Sequence, residues 1–151
     1  MKIINGIAEL KALEGSEIGT SDWHTISQDQ INAFADATGD HQWIHIDIEK
    51  AKTFSPFGTT IAHGFLTMSL APMFMDQIFK VEGVKMGINY GLNKLRFTSP
   101  VPAGGQLRVK AVLAKLSPFE GGQQAEMHLT YELKGQDKPA CIAEFLMRFY
   151  V

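Results

Sequence analysis

Near residue 80 the hydrophobic pattern of this chain changes period. Before it, apolar residues recur mostly at helical spacing, and from residue 85 onward they alternate. The longest apolar stretch, residues 61–79, is interrupted by His63, Thr67, Ser69, Pro72 and Asp76. That density predicts a buried helix, while the polar interruptions make it unsuitable as a membrane span. The runs that follow, 85–97, 106–116, 123–133 and 141–150, are β-like, with turn signals between them at Ser99-Pro100 to Gly104-Gly105, Pro118 to Gly121-Gly122, and Gly135 to Pro139. Leu107, Val109, Ala111 and Leu113 alternate with Arg108, Lys110 and Val112, the pattern of an antiparallel strand with one face on a core. The economical arrangement is α+β, an antiparallel sheet wrapped around the long central helix. A lone sheet of this size covers one side of such a helix, so dimerisation is expected to cover the rest.

The first half supplies shorter elements. Ile4, Ile7, Ala8 and Leu10 form a weak amphipathic stretch ended near Gly15, and Trp23 to Ile26 alternates like a short strand. Ser27 followed by Gln30 is a capping box, with Ile31, Phe34, Ala35 and Thr38 at helical spacing behind it and Gly39 placed to end the helix. Asp47 is placed to cap another short helix. No repeat, charge block or linker divides the chain, so residues 1–151 read as one domain.

Composition narrows the function classes. Hydrophobic residues at 45% and charged residues at 20% suit a soluble protein with a closed core. A net charge of -2 offers no footprint for nucleic acid or an anionic membrane. The single cysteine, Cys141, fits a reducing compartment, and the polar N-terminal stretch lacks a signal-peptide core, so a cytoplasmic location is expected.

The densest ionisable cluster is Gly39-Asp40-His41-Gln42-Trp43-Ile44-His45. An acid and an imidazole on one loop can converge on a water and perform general acid–base chemistry. Gly-Asp after a helix is also an ordinary turn, and exposed histidines are common. His41 and His45 have the ligand spacing of one helix face. Gln42 stands where a zinc protease needs glutamate, however, and Gly39 opposes a helix, so no metal centre is expected. A second candidate is His63-Gly64 at the entrance of the apolar helix. Free N–H groups there stabilise developing negative charge, and Gly64 admits a close carbonyl. The structural alternative makes Gly64 a packing residue and His63 a satisfied buried histidine. Met68, Met73, Phe74 and Met75 read as core, and Cys141 as a buried thiol.

The run from Phe34 to His45, ending Thr38-Gly39-Asp40-His41-Gln42-Trp43-Ile44-His45, resembles the hydratase 2 motif of MaoC-like proteins, the (R)-specific enoyl-CoA hydratases. Ile61-Ala62-His63-Gly64-Phe65-Leu66 resembles the family's second marker, and Asn89 to Phe97 with Pro100-Val101 resembles the strand and turn that follow. The similarity runs from about Trp23 to the C-terminus and looks closest to the NodN-like, single-hot-dog type. It implies a hot-dog fold, a homodimer, and reversible syn hydration of trans-2-enoyl-CoA to (3R)-3-hydroxyacyl-CoA without metal or other cofactor. By position it makes Asp40 and His45 the catalytic pair and the Gly64 N–H the oxyanion donor, with Gln42 and His63 contacting substrate. Which of the pair takes the water proton stays open. The family usually has Asn-Pro between aspartate and histidine, and Gln42-Trp43 departs from that. Two other functions compete, acyl-CoA thioesterase and a non-catalytic acyl-CoA-binding subunit. No Asp or Glu lies between Lys52 and Asp76 to activate water for hydrolysis, and the intact Asp40/His45 pair speaks against a dead subunit.

Overall fold

The computed structural model describes residues 1–151 and begins with a strand, β1 (Lys2–Ile4), and a helix, α1 (Gly6–Ala12). Ile4 therefore leaves the amphipathic helix on which its spacing placed it. The chain turns at Gly6, whose φ of +85° suits only glycine. Strands β2 (Ser16–Thr20) and β3 (His24–Thr25) follow. Half of the capping box forms at α2 (Gln28–Thr38): the Gln30 N–H donates to Ser27 Oγ at 3.1 Å, while the Gln30 side chain pairs with His24 instead, and Gly39 ends the helix at φ +80°. Two short helices come next, α3 (Trp43–Ile46) and α4 (Ile48–Phe54), and Asp47 caps the second through the Lys50 N–H at 2.9 Å. Helix α3 lies where Gly39 was expected to prevent one, because Gly39 terminates α2 before the new helix starts.

The apolar segment is not one helix. It divides at Leu70 into α5 (Gly64–Ser69) and α6 (Ala71–Ile78), Ile61 forms an isolated bridge with Pro102, and Phe79 begins a strand, β4 (Phe79–Val81). Pro72 explains the division, since it has no N–H for the Met68 carbonyl four residues earlier. The Tyr131 hydroxyl, wholly buried, donates to that carbonyl at 3.3 Å.

Four long strands complete the fold, β5 (Met86–Phe97), β6 (Gln106–Phe119), β7 (Gly122–Leu133) and β8 (Cys141–Tyr150). The antiparallel sheet runs β2-β6-β7-β8-β5, with β3 also on β6, while β1 and β4 pair in parallel apart from it. Leu107, Val109, Ala111 and Leu113 of β6 are fully buried, as their alternation predicts, and the sheet closes on Phe74, which meets Tyr131 edge-on at 6.1 Å.

Two expectations about coverage are corrected. The helix core of Leu66, Met68, Ala71, Phe74, Met75 and Ile78 is buried within the single chain, since Ile4 and Leu10 from the N-terminal elements join the same cluster. Strand β5 was expected to bury one face, yet every residue of it except Leu95 is exposed. Its only neighbour is β8, so its far edge and its apolar side chains are uncovered. No helix is long and apolar enough to cross a membrane.

Candidate active site

Three side chains distant in sequence meet where the loop after α2 passes the start of α5. Asp40, His45 and His63 each place a carboxylate oxygen or ring nitrogen within 4.8 Å of the others. Asp40 is exposed, whereas His45 and His63 are 7% and 3% exposed. Helix α3 carries His45 inward. Its Nδ1 lies 2.7 Å from the Ile61 carbonyl, so Nδ1–H is the donor and Nε2 keeps its lone pair. Burial holds the His45 pKa below its ordinary value; the neighbouring His63 acts in the same direction, and the Ile61 bond and Asp40 oppose them.

Gln28 supports this arrangement from the start of α2, and nothing in the motif pointed to it. Its Nε2 donates to the His45 carbonyl at 2.8 Å, and its Oε1 accepts the Thr60 hydroxyl at 2.5 Å. His41 faces the other way, exposed and 3.0 Å from the Asp36 carboxylate, which raises its pKa. His41 and His45 therefore share no ligand face. The His45 and His63 rings stack at 3.8 Å and 26°.

Beside His45 opens a cavity of about 280 Å³, whose lining includes Gly64, Thr67, Phe97, Ser99 and Val101. Gly64 is the first residue of α5, where an N–H has no intrahelical acceptor. A Cβ at this position would come within 2.5 Å of the Phe97 ring, so the absence of a side chain lets Phe97 lie flat on the helix start. Phe97 in turn meets the exposed Phe65 edge-on at 5.4 Å. The sequence motifs named Asp40, His45 and Gly64, but not the cavity walls Thr67, Phe97 and Ser99, which come from separate elements.

Gln42 and His63, the two expected substrate contacts, are like Asp40 not among the residues lining this cavity. Gln42 is exposed and outside the cavity lining, and its backbone N–H donates to Asp40 Oδ1 at 3.3 Å. His63 is sealed behind His45, with its Nε2 donating to the Asp40 carbonyl at 2.9 Å. Trp43, at the start of α3, is half-buried beneath the Lys50 ammonium at 5.0 Å. Cys141 is buried in β8, which pushes its thiol up to about 12.

Comparison with known proteins accords with this frame. The MaoC like domain matches residues 9–136. The chain is 49% identical over 150 residues to 3-hydroxyacyl-thioester dehydratase Z of Mycobacterium tuberculosis, covering 99% of each chain. It is 41% identical over 143 residues to nodulation protein N of Rhizobium leguminosarum, covering 93% of this chain and 88% of that one. Among solved structures, the monoamine oxidase regulatory protein from Archaeoglobus fulgidus superposes with a TM-score of 0.79 at 23% identity, covering 99% of this chain and 97% of that one. The architecture is the α+β hot-dog fold. A family match of that extent, on a sheet and helix of that arrangement, makes the chain a member of the MaoC-like dehydratase family.

Proposed function

We propose that the protein is an acyl-thioester hydratase, adding water reversibly and syn to trans-2-enoyl-CoA to give (3R)-3-hydroxyacyl-CoA. The observation that carries this reading is an Asp40 oxygen and a His45 ring nitrogen within 4.8 Å of each other, beside a cavity lined by His45 and Gly64. A water between them donates one hydrogen to the carboxylate and the other to His45 Nε2, which leaves an oxygen lone pair for the β-carbon. The β-carbon is electrophilic only while charge moves onto the thioester oxygen, and the Gly64 N–H is the proposed donor to that oxygen. A C–O bond forms at Cβ, the water gives up one proton, and Cα receives one on the same face. Asp40 and His45 handle these protons as one coupled unit. The balance needs only water and the enoyl thioester. The relative named 3-hydroxyacyl-thioester dehydratase Z supports the substrate class and the reaction.

Residues 1–151 act in this reading as one domain of a homodimer. Met86, Ile88, Tyr90 and Leu92 are exposed on β5, at the open edge of the sheet. Such an edge is a template for another strand, and a second copy of β5 meets it antiparallel under two-fold symmetry.

A single assay with crotonyl-CoA tests the reaction. Loss of enoyl absorbance without free thiol is the expected result. Thiol release identifies a thioesterase instead, and binding without either change identifies a non-catalytic subunit.

A further inference from the structure

Two buried histidine rings lie face to face beside Asp40, and only His45 lines the cavity. His63 is closed in by His45 at 3.8 Å and by Phe34 at 4.9 Å. In the neutral ring, a nitrogen facing a carbonyl carries the hydrogen, so Nε2 is the donor to Asp40 and Nδ1 is a bare acceptor. That Nδ1 is buried and has no partner. Buried polar atoms without partners are uncommon and costly, and an apolar side chain filling this slot would avoid the cost. The imidazole adds one thing a hydrocarbon lacks, a hydrogen bond to the Asp40 backbone.

Asp40 depends on that bond. Its other ties are long, 3.5 Å from its N–H to Thr38 Oγ1 and 3.3 Å from Gln42 N–H to its Oδ1, against 2.9 Å for His63. The same His63 ring lies flat against His45. We propose that His63 is a positioning residue, whose Nε2–H pins the Asp40 backbone and whose ring face sets the plane of His45, so that the catalytic pair keeps one separation. Only the kinetic part of this proposal rests on the hydratase reading above.

The first test needs neither activity nor a variant. Histidine ring NMR on the ¹⁵N-labelled wild-type protein reads both tautomers, and Nε2–H in His63 with Nδ1–H in His45 is the expected result. A hydrogen on Nδ1 of His63 overturns the proposal, even where no variant folds. The second test separates the two contacts. His63→Phe keeps a flat ring without a donor, whereas the amide of His63→Gln can donate near the place of Nε2. His63→Phe is expected to lower kcat about 10-fold or more with KM little changed, since misplaced catalytic groups cost rate more than binding. His63→Gln should recover part of that loss.

Wild-type kcat in His63→Phe overturns the proposal, as does a His63→Gln protein no better than His63→Phe. A wild-type protein without hydration turnover overturns the functional reading, and the tautomer result still decides the positioning role.

Discussion

The Nδ1–H of His45 donates to the Ile61 carbonyl at 2.7 Å, and this bond commits the other ring nitrogen to accept. Burial adds to the commitment by keeping the ring uncharged near neutral pH. The folded protein binds a proton at His45 less readily than the unfolded chain does. Its contribution to stability is therefore lost as pH falls through the ordinary imidazole value near about 6.5, and the loss levels off only below the lower folded value. The acid limb of kcat/KM should lie below about 6.5 for the same reason. Denaturant titrations across this range, on wild type and His45→Gln, check the sign. The variant should show the smaller loss of stability on acidification.

In the proposed hydratase reading, one shared water couples Asp40 and His45. Asp40→Asn and His45→Gln should each lower kcat by about 10²–10⁴-fold, the range for a general acid or base. The double variant should lose far less than the product of the two, because removing either partner already releases the water. Steady-state kinetics on the three proteins decides it. Fully multiplicative losses contradict the shared water.

Much of this frame was legible in local signals. The Ser27 cap of α2, the glycine at residue 39 and the alternation along β6 and β7 are short-range physics and appear where the sequence put them, although the Gln30 side chain turns to His24 rather than closing the box. The Asp40–His45 spacing was equally plain. Relations decided by distant neighbours were not. The β1–β4 pair joins Lys2 to Phe79, and nothing in three residues of strand identifies a partner so far away. Alternation along β5 shows an apolar face but not whether the same chain covers it. The bond from His63 to a backbone carbonyl, Asp40 O, was not legible either, since backbone groups have no sequence signature.

The break in the central helix is a second place where one side chain completes a backbone. Tyr131→Phe removes the hydroxyl hydrogen bond to the Met68 carbonyl, at a cost of about 0.5–1.5 kcal/mol. Pro72→Ala restores an N–H in register with the same carbonyl. Tyr131→Phe should therefore cost less in the Pro72→Ala background than in wild type, a coupling that a double-mutant cycle by denaturant unfolding reads directly. Strict additivity would separate Pro72 from the role of Tyr131.

Uncovered apolar side chains on β5 predict the assembly. The wild-type protein should sediment as a dimer at micromolar concentration, and Ile88→Lys with Leu92→Lys should shift it to monomer by placing charges on the pairing edge. Both positions are already exposed in the single chain, so the monomer should stay folded. A wild-type monomer with full activity contradicts the β5 pairing.

Gly64 is the most demanding position to test, because the direction its side chain would take is already occupied. Alanine there puts a methyl within 2.5 Å of the Phe97 ring, which must swing aside. Phe97 is 43% exposed and has room to move, so the protein should fold. Two causes then compete for any loss of activity, a displaced cavity wall and a blocked approach of the thioester to the Gly64 N–H. Phe97→Ala alone measures the first. Gly64→Ala combined with Phe97→Ala measures the second, since the methyl then meets no ring. An oxyanion role predicts that kcat/KM for crotonyl-CoA falls about 10-fold or more in the double variant relative to Phe97→Ala, in line with losing one donor to developing negative charge. Equal kinetics in those two proteins, with matching thermal midpoints, would remove Gly64 from the mechanism and leave it a packing residue beneath Phe97.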